Sequence, residues 1–171
     1  MDPMTNSEPH TPQRQFADLD AQISWKFFLI DDVWMAVTQD EVISMHSTDS
    51  LELQQADVTG GWRSPGFKET IWLCDAELKP IVREGEIHGQ ILKLRTAADD
   101  FAIICDKIED VLAGPLVSIH PLPAVLSSDD KLVLALIVPD KHRVASVVDV
   151  NKLGRMLVGE SFEVTAGVDN G

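Results

Sequence analysis

The sequence predicts an all-β protein, a barrel or sandwich of short strands. Three observations carry that expectation. Short apolar runs recur between turn signals, and segments with a sustained 3.6-residue period are almost absent. The stretch 101–112, FAIICDKIEDVL, enters as a wholly apolar strand and breaks at Asp106. It resumes through Ile108, Val111 and Leu112 at a spacing that fits a helix or a second strand.

A chain of 171 residues forms one domain or two small ones and is long enough to bury a core. With 44% hydrophobic and 25% charged residues, its class is soluble and globular. Lys and Arg number 14 against 28 Asp and Glu, a formal net charge of −14 that repels a phosphate backbone or an anionic lipid surface. Nucleic acid is therefore not an expected partner, and neither is direct membrane insertion. The first residues, MDPMTNSEPHTPQRQ, lack an apolar signal core, and the longest uninterrupted apolar run, residues 132–138, is too short to span a bilayer. The expected location is the cytoplasm.

In chain order, residues 1–20 are rich in Pro, Ser, Thr, Asn and Gln and read as a flexible tail. ISWKFFLI, Asp31-Asp32 and VWMAV form a hairpin signal, although the turn lacks glycine. DEVISMHS reads as a third strand or a short helix, LELQQADV as a possible helix and TGGWRSPG as a loop. IWLCDAELKPIV gives two strands around an acidic break, and EIHGQILKLRT another, with Gly89 as a bend or bulge. After FAIICDKIEDVL come LVSIHPLPAVL, a polar turn at residues 127–130, a buried strand at 132–138, the turn PDKHR and the strand VASVVDV. Residues 151–157 read as a closing helix with Asn151 as its cap, and 158–171 as a tail. The strands divide into halves of comparable content, roughly 23–95 and 96–157, which suits two small barrels.

Motifs for chemistry are sparse. The glycines never approach a dinucleotide or P-loop spacing, and no G-x-S-x-G elbow occurs. The acidic doublets at 31–32, 99–100, 109–110 and 129–130 point to opposite strand faces or sit in turns, which does not suit paired acid-base work. His10, His46, His88, His120 and His142 have no partner at ligand spacing. Cys74 and Cys105 lie in apolar stretches and read as reduced core thiols; without a CxxC or Cys/His pattern no zinc, and no other cofactor, is expected. Trp62 with Arg63 forms a candidate contact pair, because aromatic and arginine side chains anchor interfaces; the alternative is that Trp62 folds onto the core.

The order of segments over residues 25–157 resembles the CheW-like domain, the adaptor module of bacterial chemosensory arrays. FFLIDDVWMAV resembles the family's opening hairpin, and Val42 falls at the valine of its next strand, while Ser44 stands at a position that is usually acidic. PGFKETIWLCDAELKPIV resembles the central signature: Pro65, Phe67, Pro80, Ile81 and Val82 keep its register. Leu73 and Cys74 stand for its Asn-Leu, Asp75 and Ala76 for its Arg-Gly, Thr70 for a glycine and Arg83 for an aspartate. AIICDKIEDVL is similar to the family's Val-x-Asp-x-Val-x-x-Val strand, KLVLALIVPDKHRVASVVDV to its last two strands, and Asp149, Lys152 and Leu153 to its closing Leu-Asp-x-x-Lys-Leu.

This resemblance implies two SH3-like five-stranded β-barrels followed by a short C-terminal helix, no catalysis and no cofactor. It implies a scaffold that bridges a methyl-accepting chemoreceptor to the regulatory domain of a CheA-type histidine kinase through strand edges and the cleft between barrels. An accessory adaptor of a pilus or other non-flagellar pathway is a variant of that reading. The departures at Asp75 and Arg83 exchange two charges while keeping opposite signs, which favours a changed partner; the alternative is that Asp75 is only a turn residue. Trp62, Arg63, Asp75 and Arg83 are therefore the expected partner-binding residues. The competing class is a small-molecule-binding or enzymatic β-barrel with Trp62, His88 or His120 in its pocket.

Overall fold

The computed structural model describes residues 24–113, 118–122 and 132–159. Its strands are β1 (Ser24–Ile30), β2 (Val33–Thr38), β3 (Val42–Ser47), β4 (Gln54–Gln55), β5 (Gly61–Arg63) and β6 (Ile71–Leu73). The series continues with β7 (Gln90–Leu94), β8 (Phe101–Cys105), β9 (Lys107–Ala113), β10 (Ser118–Pro121), β11 (Val133–Asp140) and β12 (Arg143–Val148). One helix, α1, covers residues 150–159.

Two sheets form, each of six strands among the described residues rather than the expected five. The first has the order β10-β11-β12-β2-β1-β9, the second β3-β7-β8-β6-β5-β4. The sheets interleave along the chain instead of dividing near residue 95. β1 and β2 join the first sheet with β9 to β12, through a parallel pairing of β2 with β12 that sets Ala36 opposite Val147. β3 to β8 make up the second sheet, so FAIIC belongs with the strands before it.

Three cores explain why the strands read as continuous apolar runs. Side chains alternate between strand faces, and here both faces are covered. On β8, Phe101, Ile103 and Cys105 enter a central core between the sheets, while Ala102 and Ile104 enter the core of the second sheet. On β1, Phe28 and Ile30 enter the central core, and Trp25 and Phe27 the core of the first sheet, across a register shift between Trp25 and Phe27. The central core also takes Val150, Leu153 and Leu157 from α1, which closes over the seam.

Local chemistry sets the connections. Asp31 (φ 47°) and Asp32 (φ 66°) both adopt the left-handed conformation that a tight hairpin needs, so the turn forms without glycine. The Asp31 N–H donates to Asp106 Oδ2 at 2.8 Å, which ties the hairpin to the β8–β9 junction. That junction resolves the ambiguity after Asp106: the chain continues as a strand, with Ile108 opposite Phe28. DEVISMHS also becomes a strand, after a short 3-10 turn at Gln39–Glu41.

Three expectations are corrected. LELQQADV is not helical, because Leu51 and Leu53 follow a two-residue period beneath the second core while Gln54 pairs with Arg63. TGGWRSPG is not wholly loop, because Gly61–Arg63 forms β5 against β4 and β6. Asn151 does not cap α1. Asp149 does, its Oδ1 accepting the Lys152 N–H at 3.1 Å, whereas Asn151 Oδ1 accepts the Ala97 N–H at 2.8 Å and tethers the 96–99 loop. The expected turn at 127–130 lies outside the described residues, as does the tail at 1–20.

Gly89 is the bend that the sequence marks. Its φ of +154° disfavours a side chain, and an added Cβ meets the Cys105 carbonyl oxygen at 2.3 Å, which cannot give way without moving β8. Gly89→Ala is expected to cost about 2–4 kcal/mol of stability, the scale of overpacking plus backbone strain. Urea unfolding checks this; a midpoint equal to that of the parent contradicts it.

At the crossing from the first sheet to the second, Glu41 Oε1 accepts the Thr38 N–H at 2.9 Å and its hydroxyl at 3.0 Å. Burial pushes the Glu41 carboxyl above its ordinary value of 4.5, against the opposing pull of the Thr38 hydrogen bonds. A raised folded-state value means that Glu41 contributes most to stability below pH 4.5 and loses that contribution as pH rises through its folded value. Glu41→Gln keeps an acceptor for Thr38 and removes the titration. The parent-minus-variant difference in urea midpoint is expected to fall across that window, and a flat difference contradicts the assignment.

Candidate docking cleft

A cleft of about 440 Å³ opens between the two sheets. Val33 and Val148 of the first sheet form one wall, the turn at residues 76–79 the other, and Met156 of α1 one end, with Leu132 and Val133 also lining it. Two exposed apolar side chains line it, Val33 at 39% and Met156 at 46% exposure.

The turn that forms the second wall is tightly specified. Asp75 Oδ1 accepts the N–H groups of Glu77 at 2.9 Å and Lys79 at 3.0 Å, and the main chain closes twice, Asp75 N–H to the Lys79 carbonyl and Leu78 N–H to that of Asp75, both at 2.9 Å. Leu78 takes φ 64°, an unfavourable value for a leucine, which its burial in the central core offsets. The Glu77–Lys79 ion pair at 3.5 Å is exposed at both ends and adds little. Cys74, which leads into the turn, is buried, and desolvation pushes its thiol up to about 12.

Asp75→Ala is expected to cost about 0.5–1.5 kcal/mol, since two exposed N–H donors exchange a charged acceptor for water. Asp75→Asn retains the acceptor oxygen and is expected to cost less than about half as much. Equal losses in urea unfolding contradict the turn-closing role.

The four expected contact residues do not gather in one place. Trp62 is 9% exposed and packs into the core of the second sheet with Ile71 and Ile91. Arg63, beside it on β5, is exposed, and Arg83 is exposed beyond the turn. Asp75 spends its carboxylate on its own turn, and no ion pair joins it to Arg83. Of the pocket expected by the competing class, Trp62 and His88 line one hollow of about 360 Å³, whereas His120 lies on β10 of the other sheet. Among the described residues no group of three or more His, Cys, Asp or Glu side chains is placed to hold a metal ion.

Sequence reasoning missed a second surface feature. The Arg143 guanidinium stacks on Trp34 at 5.1 Å from the ring centre and hydrogen-bonds Glu109 and, at 2.8–2.9 Å, Asp140. The bond to Glu109, then that to Asp140, raises its already high pKa further. Strands β2, β9, β11 and β12 supply these groups from distant parts of the chain, so only the PDKHR turn gave a local signal, and that signal read as a turn alone.

Comparison with known proteins places the fold. No family model matches the sequence, and no curated protein matches it. Among solved structures, the chain is similar to the scaffolding protein TtCheW from Thermoanaerobacter tengcongensis, with a TM-score of 0.58 and 13% identity, covering 77% of this chain and 91% of that one. The two chains share a fold, which in this chain is two sheets, each around its own core, followed by a short helix at residues 150–159.

Proposed function

We propose that this chain is a non-enzymatic chemosensory adaptor, a scaffold that couples a methyl-accepting chemoreceptor to the regulatory domain of a CheA-type histidine kinase. The observation that carries the reading is the apolar cleft between the sheets, on a fold shared with a scaffolding protein. A groove with exposed Val33 and Met156 along it suits the apolar face of an amphipathic helix offered by the receptor. Among the described residues, β3 and β9 are outer strands of their sheets, the positions at which a β-rich partner such as a kinase regulatory domain adds by main-chain pairing. No described helix is long and apolar enough to cross a membrane, which accords with a cytoplasmic scaffold held at the membrane by its receptor.

Arg63, Asp75 and Arg83 supply the charged contacts of this reading, with Trp62 as a buried support behind Arg63. Asp75 puts a negative charge where the family carries arginine, and a reversed charge repels the usual partner surface. Because Asp75 also closes its turn, Asp75→Asn is the variant that removes the charge while leaving the turn.

A pull-down from the native cytoplasm with the purified chain tests the reading. Recovery of a histidine kinase or a chemoreceptor supports it, and the identity of that kinase separates a flagellar from a pilus pathway. A changed set of captured proteins with Asp75→Asn supports a role for the reversed charge in partner choice. Recovery of neither class, with a small molecule retained in the hollow beside Trp62 and His88, contradicts the adaptor reading.

A further inference from the structure

Strands β6 and β8 run parallel, with Ile71, Trp72 and Leu73 opposite Ala102, Ile103 and Ile104. Cys74 follows the last of these pairs and bridges to Pro80 on its other side; continuing the β6–β8 register by one residue sets it opposite Cys105. Both belong to the central core, together with Trp72 and Ile103, so their side chains leave the sheet on the same face. Neighbouring strands lie about 4.8 Å apart, within the roughly 4.4–6.8 Å between Cα atoms that a disulfide bridges. Both are free thiols, and Cys105 Sγ donates to the Gln90 carbonyl at 3.6 Å.

We propose that Cys74 and Cys105 are a redox-closable pair, a cross-strand dithiol that an oxidising small-molecule disulfide converts into an intramolecular disulfide. One cysteine thiolate attacks the oxidant's disulfide and releases one small thiol. The other then attacks the mixed disulfide at the protein sulfur and releases the second small thiol. One S–S bond forms in the protein, one is cleaved in the oxidant, and the two protons lost by the cysteines end on the two small thiols. The bond ties the base of the 75–79 turn to the end of β8, so closure stiffens the region behind that turn.

Burial pushes both thiols up to about 12, which makes exchange slow while the chain is folded and places it during folding or opening. The test therefore starts from the reduced, unfolded chain and refolds it in a glutathione buffer, oxidised in one arm and reduced in the other. In the oxidised arm the expected product is a monomer with parent-like circular dichroism, lighter by two hydrogen atoms, with the tryptic peptides carrying Cys74 and Cys105 joined. Its thermal midpoint is expected to exceed that of the reduced arm and to fall back on adding dithiothreitol. The single variants Cys74→Ala and Cys105→Ala, refolded in the oxidised arm, are expected to carry one glutathione or none. A natively folded chain that keeps both thiols free, or carries glutathione on them, in the oxidised arm overturns the proposal. So does a linked chain that has lost the native spectrum.

Discussion

Phe101→Ala is expected to lose about 3–5 kcal/mol of stability, the range for removing a large buried aromatic. Phe101 sits in the central core between the two sheets, and its ring lies against the α1 backbone: a Cβ on Gly154 would meet Phe101 ring carbons at 3.1 and 3.2 Å. Truncation opens a void that neither sheet can fill alone, because the cross-strand partner Leu94 is already packed in the same core and the next residue on β8, Ala102, faces the core of the second sheet. The loss reaches beyond the strand, since α1 docks on the same core and also closes one end of the cleft. Urea unfolding measures it, with Val82→Ala as an exposed control expected to stay within about 0.5 kcal/mol of the parent. A loss below about 1.5 kcal/mol for Phe101→Ala contradicts the shared-core description, because a site that collapses so easily is not packed from both sides.

Val33→Glu with Met156→Glu is expected to weaken receptor-tip binding at least tenfold, about 1.4 kcal/mol or more, while leaving the fold in place. Both side chains are exposed along the cleft, so the unbound protein tolerates a carboxylate there. On the proposed adaptor reading, that carboxylate meets the apolar face of a docked helix and loses its water without gaining a partner. Isothermal titration with a soluble receptor-tip fragment reads the effect. Unchanged affinity alongside parent-like circular dichroism contradicts docking in the cleft. A variant that loses its native spectrum instead contradicts the exposed placement of the two side chains.

The fold was legible where local chemistry and core packing agree. FAIIC reads as a buried strand because both of its faces are covered, and VWMAV follows a hairpin turn that two aspartates can make in the left-handed region. The misreadings have physical causes. LELQQADV carries helix formers, but Leu51 and Leu53 are anchored beneath the second core at two-residue spacing, and that packing overrides propensity. Asn151 and Asp149 are both capping residues by type, and the competition was decided by the 96–99 loop, which takes the amide of Asn151.

The candidate site was far less legible than the strands. The cleft is assembled from Val33, the 76–79 turn, Val133 and Met156, residues spread over most of the chain with no common motif. Trp62 illustrates the same limit from the other side: its type suits an interface anchor, yet its neighbours Ile71 and Ile91 place it in the core. Likewise, the interleaved sheets arise from the long-range pairing of β2 with β12, which no local pattern announces.

The most direct measurement of the adaptor account is a map of backbone amide shifts by nuclear magnetic resonance as a receptor-tip fragment is titrated into the chain. The account predicts that the shifts cluster around Val33, the 76–79 turn, Val148 and Met156, and that they vanish in the Val33→Glu, Met156→Glu variant. Saturable shifts confined to the hollow beside Trp62 and His88, or no shifts at fragment concentrations that saturate a CheW scaffold, contradict it.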